Sequence, residues 1–426
     1  MKLAFHLGRV YTLSLAEILS VLDRRGVKYE VVELFTEILL LEVDEEIDVP
    51  SLQKRLGGTV KIMEVRDEVK RKKSTDYLNF TLKEYFNSQI LKNKFLRGYT
   101  GKIQFGVSLY PLYERANLRG QVKRVGMDIK KLLQDAGVSC RLVQPEGFAT
   151  SLPSVAVTNN HLLEKGAEID LLVAEKKIYI ANTLTVQDFA DYGRRDYQRP
   201  SRDSRIGMLP PKVAQIMINL AKYTPEERMK GAYILDPFCG SGTVLQEAML
   251  IGFKVLGSDI LKEAVDATES NLNWFRNRYK LPPGKFKVEQ SDVGQMSEHF
   301  QGLEIVSVIT EGTLGPAYSE LPKDKEIREN FEKLGKVYVN AFKEIKKILK
   351  PGRTVVTALP AYKTAKGYIS FPAVDKILEL GYLIEAPVPE EMLKKYSFLK
   401  VTPRNSIIYD RKDQVVVREI ITFRLK

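Results

Sequence analysis

The sequence predicts an α/β chain whose C-terminal half is a doubly wound, mostly parallel sheet, preceded by smaller α+β units. Three observations carry that expectation. After Lys212, apolar runs of strand length alternate with amphipathic runs of helix length, as in repeated β-α-β units. One junction among them, ILDPFCGSGT at 234–243, is an apolar strand that enters a glycine loop and then at once a helix. Ahead of Lys212, strands and helices are present without that regular alternation.

Residues 3–7 and 29–34 read as strands around a helix. Ser14 is its expected N-cap, Glu17 completes a capping box, and Gly26 stops it. Strands at 38–43 and 59–65, with a helix near 50–56, finish a unit expected to close near residue 70. A second unit, 71–186, carries a strand at 105–110. A helix follows with Val122, Val125, Ile129, Leu132 and Leu133 on one face. Further strands are expected at 140–143, 154–159, 170–174 and 177–186. Residues 187–212 read as a connector, because Pro200, Gly207, Pro210 and Pro211 break regular structure. The remainder, 213–426, opens with an apolar helix at 213–221. Strands at 232–236, 254–259, 286–292, 304–310 and 354–359 then alternate with helices at 242–251, 263–279 and 326–349, the last stopped by Pro351-Gly352. A helix at 372–380 and strands near 382–386, 405–409 and 415–424 end the chain.

Composition narrows the function classes. The 426 residues include 66 Lys and Arg against 54 Asp and Glu, a formal net charge of +12, so a polyanion is the first partner to test. The excess is concentrated. Eleven Lys and Arg face five Asp and Glu between Lys61 and Lys102, with KRKK at 70–73 the densest run. In the connector, Arg194, Arg195, Arg199, Arg202, Arg205 and Lys212 outnumber Asp191, Asp196 and Asp203. Phe189, Tyr192 and Tyr197 interleave with these arginines, a mixture able to stack bases and pair phosphates. Two cysteines and three histidines exclude a disulfide framework and disfavour a Cys/His zinc site. There is no run of 18 apolar residues and no signal-peptide pattern at the start, so the expected compartment is the cytoplasm.

The chemistry is expected at the ends of successive strands. Asp236 ends the first strand of the alternating region, and Gly240 and Gly242 let the backbone turn tightly and approach a ligand. The following helix offers free N–H groups to an anion. No Lys follows the glycines, so this is not a phosphate loop, and Leu245 stands where a dinucleotide fingerprint has its third glycine. Asp259 ends the second strand, where an acid meets ribose hydroxyls, and Asp292 ends the third, where it could accept from an adenine amine.

DPFCGSGT resembles motif I of the S-adenosylmethionine-dependent amino-methyltransferases that act on nucleic acid. RRDYQRPSRDSRIGMLPPKVAQIMINLA at 194–221 is similar to the segment before that motif in THUMP-containing tRNA guanine-N2 methyltransferases. RKDQVVVREI at 411–420, LGRVYTLSLAEI near the start and LGGTVKI further on also resemble that family. The resemblance implies a ferredoxin-like domain at 1–70, a THUMP-like RNA-binding domain at 71–186, the connector at 187–212, and a Rossmann-like methyltransferase domain at 213–426. It implies S-adenosyl-L-methionine as cofactor, no metal, and tRNA or another structured RNA as partner. Asp236, Pro237, Phe238, Cys239, Gly240, Ser241, Gly242 and Thr243 would hold the methionine moiety, Asp259 with Ile260 the ribose, and Asp292 with Val293 the adenine.

The chain departs from the family at the acceptor motif. In place of Asp/Asn-Pro-Pro-aromatic it reads ITEGTLGPAY at 309–318. Glu311 stands at the acid position, Gly312 and Thr313 replace the prolines, and Leu314 replaces the aromatic. Glu311 is therefore the expected catalytic acceptor of the amine hydrogen bond. Thr310, Gly312, Leu314, Pro316 and Tyr318 are expected around the base, and Arg195, Arg199 and Arg202 on the RNA backbone. The implied reaction is methylation of the N2 amine of a guanosine in tRNA. Two other readings stay open: an adenine or cytosine amine in RNA or DNA, and an RNA-binding protein that keeps the fold without catalysis.

Overall fold

The structure, a computed structural model, describes residues 1–72, 77–96, 101–114, 118, 120–202, 208–284, 286–412 and 414–426. Lys73 of the basic run, Arg97, and Asp203, Arg205 and Gly207 of the connector lie outside the described residues. The chain divides into two compact units. One comprises Met1–Tyr11, Val27–Arg55 and Thr59–Phe189; the other comprises Thr12–Gly26, Leu56–Gly58 and Ala190–Lys426. No helix of the described residues is long and apolar enough to cross a membrane.

The first unit is built on one eight-stranded sheet. Its strands are β1 (Lys2–Leu7), β2 (Tyr29–Phe35), β3 (Ile38–Val43), β4 (Thr59–Lys70), β5 (Ile103–Pro111), β6 (Cys140–Val143), β7 (Gly166–Val173) and β8 (Lys177–Val186). They lie in the order β2-β3-β1-β4-β8-β7-β5-β6. The boundary expected at residue 70 has no counterpart in the hydrogen bonding. β4 continues to Lys70 and pairs antiparallel with β8 from Lys61–Val186 to Lys70–Lys177. Residues 154–159, expected as a strand, form the helix Ser154–Asn159. The S-V-A-V-T-N alternation suits a strand. Here, however, Val157 instead buries in a small cluster with Val143, Leu152 and Leu162, so packing overrides a weak local preference.

A buried polar group sits inside this sheet. Lys61, wholly buried, reaches Glu168 at 2.5 Å, and Ser108 and Thr183 donate to the same carboxylate at 2.6 and 2.7 Å. Lys61 opens the basic stretch 61–102, but its charge is neutralised internally by Glu168. Arg71, half-buried, donates to the Tyr113 hydroxyl at 2.6 Å and lies over its ring.

The second unit contains the alternating elements. β9 (Tyr233–Asp236), β10 (Lys254–Asp259), β11 (Phe286–Gln290), β12 (Ile305–Glu311), β13 (Thr354–Thr364), β14 (Gly367–Ile369), β15 (Tyr382–Ile384), β16 (Ile407–Tyr409) and β17 (Val416–Leu425) form one sheet. The order is β11-β10-β9-β12-β13-β17-β15, with β14 on β13 and β16 on β17. β11 to β13 are parallel neighbours, and β17 enters antiparallel to β13. The inner strands β9, β12 and β13 are buried along most of their length, as strands of a sheet covered on both faces are. The strand order reverses between β9 and β12, so their C-terminal ends open the crevice where such sheets bind ligands.

Helix Tyr11–Arg24 starts three residues before Ser14, so the expected capping box is not a cap. Ser14 and Glu17 are interior and buried. Glu17 accepts from the backbone N–H of Gly57 at 2.8 Å and of Gly58 at 2.7 Å, and from the Asn219 amide at 2.7 Å. S-x-x-E spacing suits both a cap and a helix interior, and the Gly57-Gly58 turn decides between them. Glu17→Ala leaves three buried donors without this acceptor, and each unmade bond costs about 1–3 kcal/mol. The variant should lose at least 3 kcal/mol or so, read as a lower denaturant midpoint; an unchanged midpoint would remove Glu17 as an anchor of this unit.

Candidate active site

The site is assembled on the ends of β9, β10 and β12. Asp236 is the last residue of β9 and is buried. Its Oδ1 accepts from Thr310 Oγ1 at 2.6 Å and from the Phe238 backbone N–H at 3.1 Å. Burial pushes its carboxyl up to about 7, and the charges of Asp259 and Glu311 add to that direction.

The loop after β9 is held from several sides. Gly240 and Gly242 take φ of +52° and +81°, the left-handed region open to glycine. A Cβ on Gly242 would also lie 3.1 Å from Thr268 Cγ2. Helix Lys262–Arg278 clamps the loop through Thr268 Oγ1, which donates to Gly240 O at 2.7 Å, and Asn271 Nδ2, which donates to Ser241 O at 2.9 Å. Cys239 is buried against Gly257, where a Cβ would come within 3.2 Å of the Cys239 Cβ. Burial pushes its thiol well up, so Cys239 packs the loop and is no nucleophile. Pro237 is buried and its carbonyl accepts from Ser258 Oγ at 3.4 Å; Thr243 opens the next helix.

The donor set fits a nucleoside bearing an amino acid. Nothing lies within 4 Å of a Cβ built on Gly240, so the loop faces open space there. Asp259 accepts from Gly240 N–H at 3.0 Å and Leu261 N–H at 3.1 Å, which aims a carboxylate with remaining acceptor capacity beside that space. Ile260 and Leu261 are 59% and 58% exposed, an apolar ledge at the end of β10. Asp292 is exposed and accepts from Gly294 N–H at 2.7 Å, and Val293 packs partly into the core.

Glu311 ends β12, one residue beyond Thr310. Arg418 of β17 grips it with a fork: Nε donates to Oε2 at 2.5 Å and Nη2 to Oε1 at 2.9 Å. The arginine side chain is 2% exposed and the glutamate side chain 11%. Burial pushes the Glu311 carboxyl up, while Arg418 and then Arg411 pull it down. Gly312 lies against a wall. A Cβ there would meet Tyr338 Oη at 2.8 Å, Tyr338 Cζ at 3.0 Å and Phe238 Cδ2 at 3.2 Å. Beyond it Leu314 is half-buried and Pro316 exposed. The Tyr318 hydroxyl donates to Glu326 Oε1 at 2.8 Å and accepts from Asn330 Nδ2 at 2.7 Å, which ties the loop to helix Asp324–Ile348.

The connector arginines divide. Residues 189–197, expected as part of an irregular connector, form the helix Phe189–Tyr197. Arg195 and Arg199 are 3% and 4% exposed, so the expectation that they contact RNA is corrected. Arg195 pairs with buried Glu247 and lies 3.2 Å from Asp191. Arg199 donates to Thr243 Oγ1 at 2.7 Å and to Met208 Sδ at 3.1 Å. Both guanidiniums brace the helix after the glycine loop. Of the three arginines expected on the RNA backbone, Arg202 is exposed, stacked 4.6 Å over the ring of Tyr197, itself 64% exposed. Thr268, Asn271, Tyr338 and Arg418 are site residues that local patterning did not single out. Arg418 carried a signal, a charge inside the apolar run VVREIITF.

A reversed strand order with acids at the strand ends and a glycine loop between them defines the Rossmann-like methyltransferase class. Residues 198–312 match the RMKL-like methyltransferase domain family. The chain is 31% identical over 199 residues to the tRNA (guanine(10)-N2)-dimethyltransferase of Methanocaldococcus jannaschii, covering 47% of this chain and 53% of that one. It is 30% identical over 126 residues to the probable tRNA (guanine(10)-N2)-dimethyltransferase of Methanothermococcus thermolithotrophicus, covering 30% and 72%. TrmN from Thermus thermophilus shares the fold across 100% of both chains, with a TM-score of 0.57 and 15% identity. The chain belongs to the tRNA guanine-N2 methyltransferase family. Its match spans about half the length of the M. jannaschii relative.

Two outcomes test this geometry. Gly312→Ala forces its Cβ onto Tyr338 and should cost about 1–3 kcal/mol. Adding Tyr338→Phe removes the nearest atom, so a double-mutant cycle should show a favourable coupling; strict additivity would refute the contact. Asp236 favours its protonated form when folded, so its contribution is greatest at low pH and is lost as pH rises from about 4 towards 7. In cofactor-free protein, the Tm gain of Asp236→Asn over the parent should therefore grow between about pH 4 and pH 7 and level off above that. A gain independent of pH would contradict the burial argument.

Proposed function

We propose that this protein transfers a methyl group from S-adenosyl-L-methionine to the exocyclic N2 amine of a guanosine in tRNA. The observation that carries the reading is the bond between Thr310 and Asp236, which sets a glycine loop of cofactor-binding type beside Glu311. When bound, S-adenosylmethionine supplies a methyl group already activated by its sulfonium. The loop 236–243 holds the amino-acid end, Asp259 with Ile260 the ribose, and Asp292 with Val293 the adenine.

A guanine N2 lone pair is delocalised into the ring, so the protein must orient it. Glu311 accepts a hydrogen bond from the amine and takes the proton released on methylation. Thr310, Gly312, Leu314, Pro316 and Tyr318 line the acceptor side, and the base leaves its stack to reach them. Arg202 and Tyr197 offer a charge and an exposed ring to RNA. The first unit, built on the eight-stranded sheet, acts as a THUMP-like RNA grip with its ferredoxin-like part, working on cytoplasmic tRNA. Adenine or cytosine amines are the alternative acceptors that the same test covers.

Nucleoside mass spectrometry of tRNA incubated with protein and labelled S-adenosylmethionine should show labelled N2-methylguanosine. Label on another nucleoside, or none despite measured cofactor binding, would overturn the reading. Glu311→Gln should lower turnover at least 100-fold or so while cofactor Kd stays within twofold. Arg202→Ala should weaken tRNA binding uniformly across sequences and reduce the salt slope by about one; an unchanged slope would take Arg202 off the RNA.

A further inference from the structure

No proline directly follows the acid of the acceptor loop. Gly312 and Thr313 follow Glu311, and neither carries a ring that limits the backbone. A glutamate has one more rotatable bond than an aspartate, so its carboxylate needs an outside partner to stay in one place. β17 supplies that partner. Glu311 is in register with Ala358 of β13, and Ala358 with Ile420 of β17. Arg418 lies two residues from Ile420 and therefore on the same face. Ala358 between them is small and wholly buried, which leaves the arginine room to cross β13.

The neighbouring acid is already satisfied. Glu419 projects to the opposite face and is held by Arg404 Nε at 2.7 Å and by Ser406. The fork on Glu311 uses one acceptor direction on each oxygen, and a carboxylate has about four. An edge therefore remains for an amine.

We infer that Arg418 is a positioning residue, which fixes the Glu311 carboxylate across the sheet so that an incoming amine meets it in one orientation. This rests on the reading of Glu311 as the amine acceptor. The groups facing Glu311 are Arg418 of β17, Arg411 before it, Asp236 of β9 and Tyr338 of helix Asp324–Ile348. Of these, Arg418 alone touches both carboxylate oxygens in the described hydrogen bonds. A merely structural ion pair would lower thermal stability when broken and leave the chemistry alone.

The test uses the full-length protein, tRNA and labelled S-adenosylmethionine, with Arg418→Gln, Arg418→Lys and Glu311→Gln side by side. Arg418→Gln should lower kcat about 10- to 100-fold, with KM for tRNA and cofactor Kd within twofold. Ionised Glu311 is the acceptor, so activity falls as pH drops through its titration. Losing the arginine raises that titration, and the acid limb should move up by about one pH unit or more. Carbon-13 NMR of labelled glutamate, assigned by Glu311→Gln, should show the same upward move without any turnover. Arg418→Lys keeps the charge but not the fork, so it should restore the acid limb and not kcat; this variant also carries the test if Arg418→Gln fails to fold. Parental kcat and acid limb in Arg418→Gln, alongside an inactive Glu311→Gln, would overturn the positioning role and leave the acceptor reading intact. Parental turnover in Glu311→Gln would overturn both.

Discussion

One short hydrogen bond ties the candidate site together. Thr310 Oγ1 donates to Asp236 Oδ1 at 2.6 Å, across the point where the strand order reverses. On the β9 side of that bond hang the glycine loop and its two clamps, Thr268 and Asn271. On the β12 side hang Glu311 and the loop that follows it. A methyl transfer needs donor and acceptor aligned to a fraction of an ångström. Both halves take their position from adjacent strand ends, so the alignment is inherited from the rigid sheet and not from flexible loops.

The buried charges near the site follow a common logic. Arg195 is paired with Glu247, Arg199 is bonded to Thr243, and Arg418 is bonded to Glu311. A guanidinium cannot shed its proton, so burying one obliges the fold to supply acceptors at fixed distances. Each such pair makes the position of its partner non-negotiable. For Arg195 and Arg199 the partner belongs to the helix that follows the glycine loop. For Arg418 it is the candidate acceptor itself. The same logic in the first unit accounts for Lys61, whose charge Glu168 neutralises within the sheet. The gross count of basic residues therefore overstates what faces solvent, whereas the net charge does not, because each of these ion pairs withdraws an acid together with its base.

The C-terminal architecture was largely legible in the sequence. Its strands and helices have distinct periods, and β9 to β13 were expected within a few residues of where they lie. The candidate cofactor loop could be placed for the same reason, because Asp236, the glycines and Asp259 are neighbours in sequence as well as in space. What was not legible came from distant parts of the chain. The Ser14–Glu17 spacing suggested a cap, but its carboxylate answers to Gly57 and Gly58. Residues 154–159 alternate like a strand, yet packing of Val157 makes them a helix. Arginines of the connector looked alike, and only burial separates Arg195 and Arg199 from Arg202.

By itself, then, the sequence determined the order of elements, the glycine loop and the acids that end successive strands, because these depend on local periodicity and backbone conformation. The acceptor side was decided by the tertiary structure. Gly312 is required because Tyr338, from a helix well along the chain, fills the space beside it. Glu311 is oriented because Arg418 reaches it across Ala358. Residues 107 positions apart meet here only because β17 inserts next to β13, and strand pairing over such separations leaves no trace in local pattern.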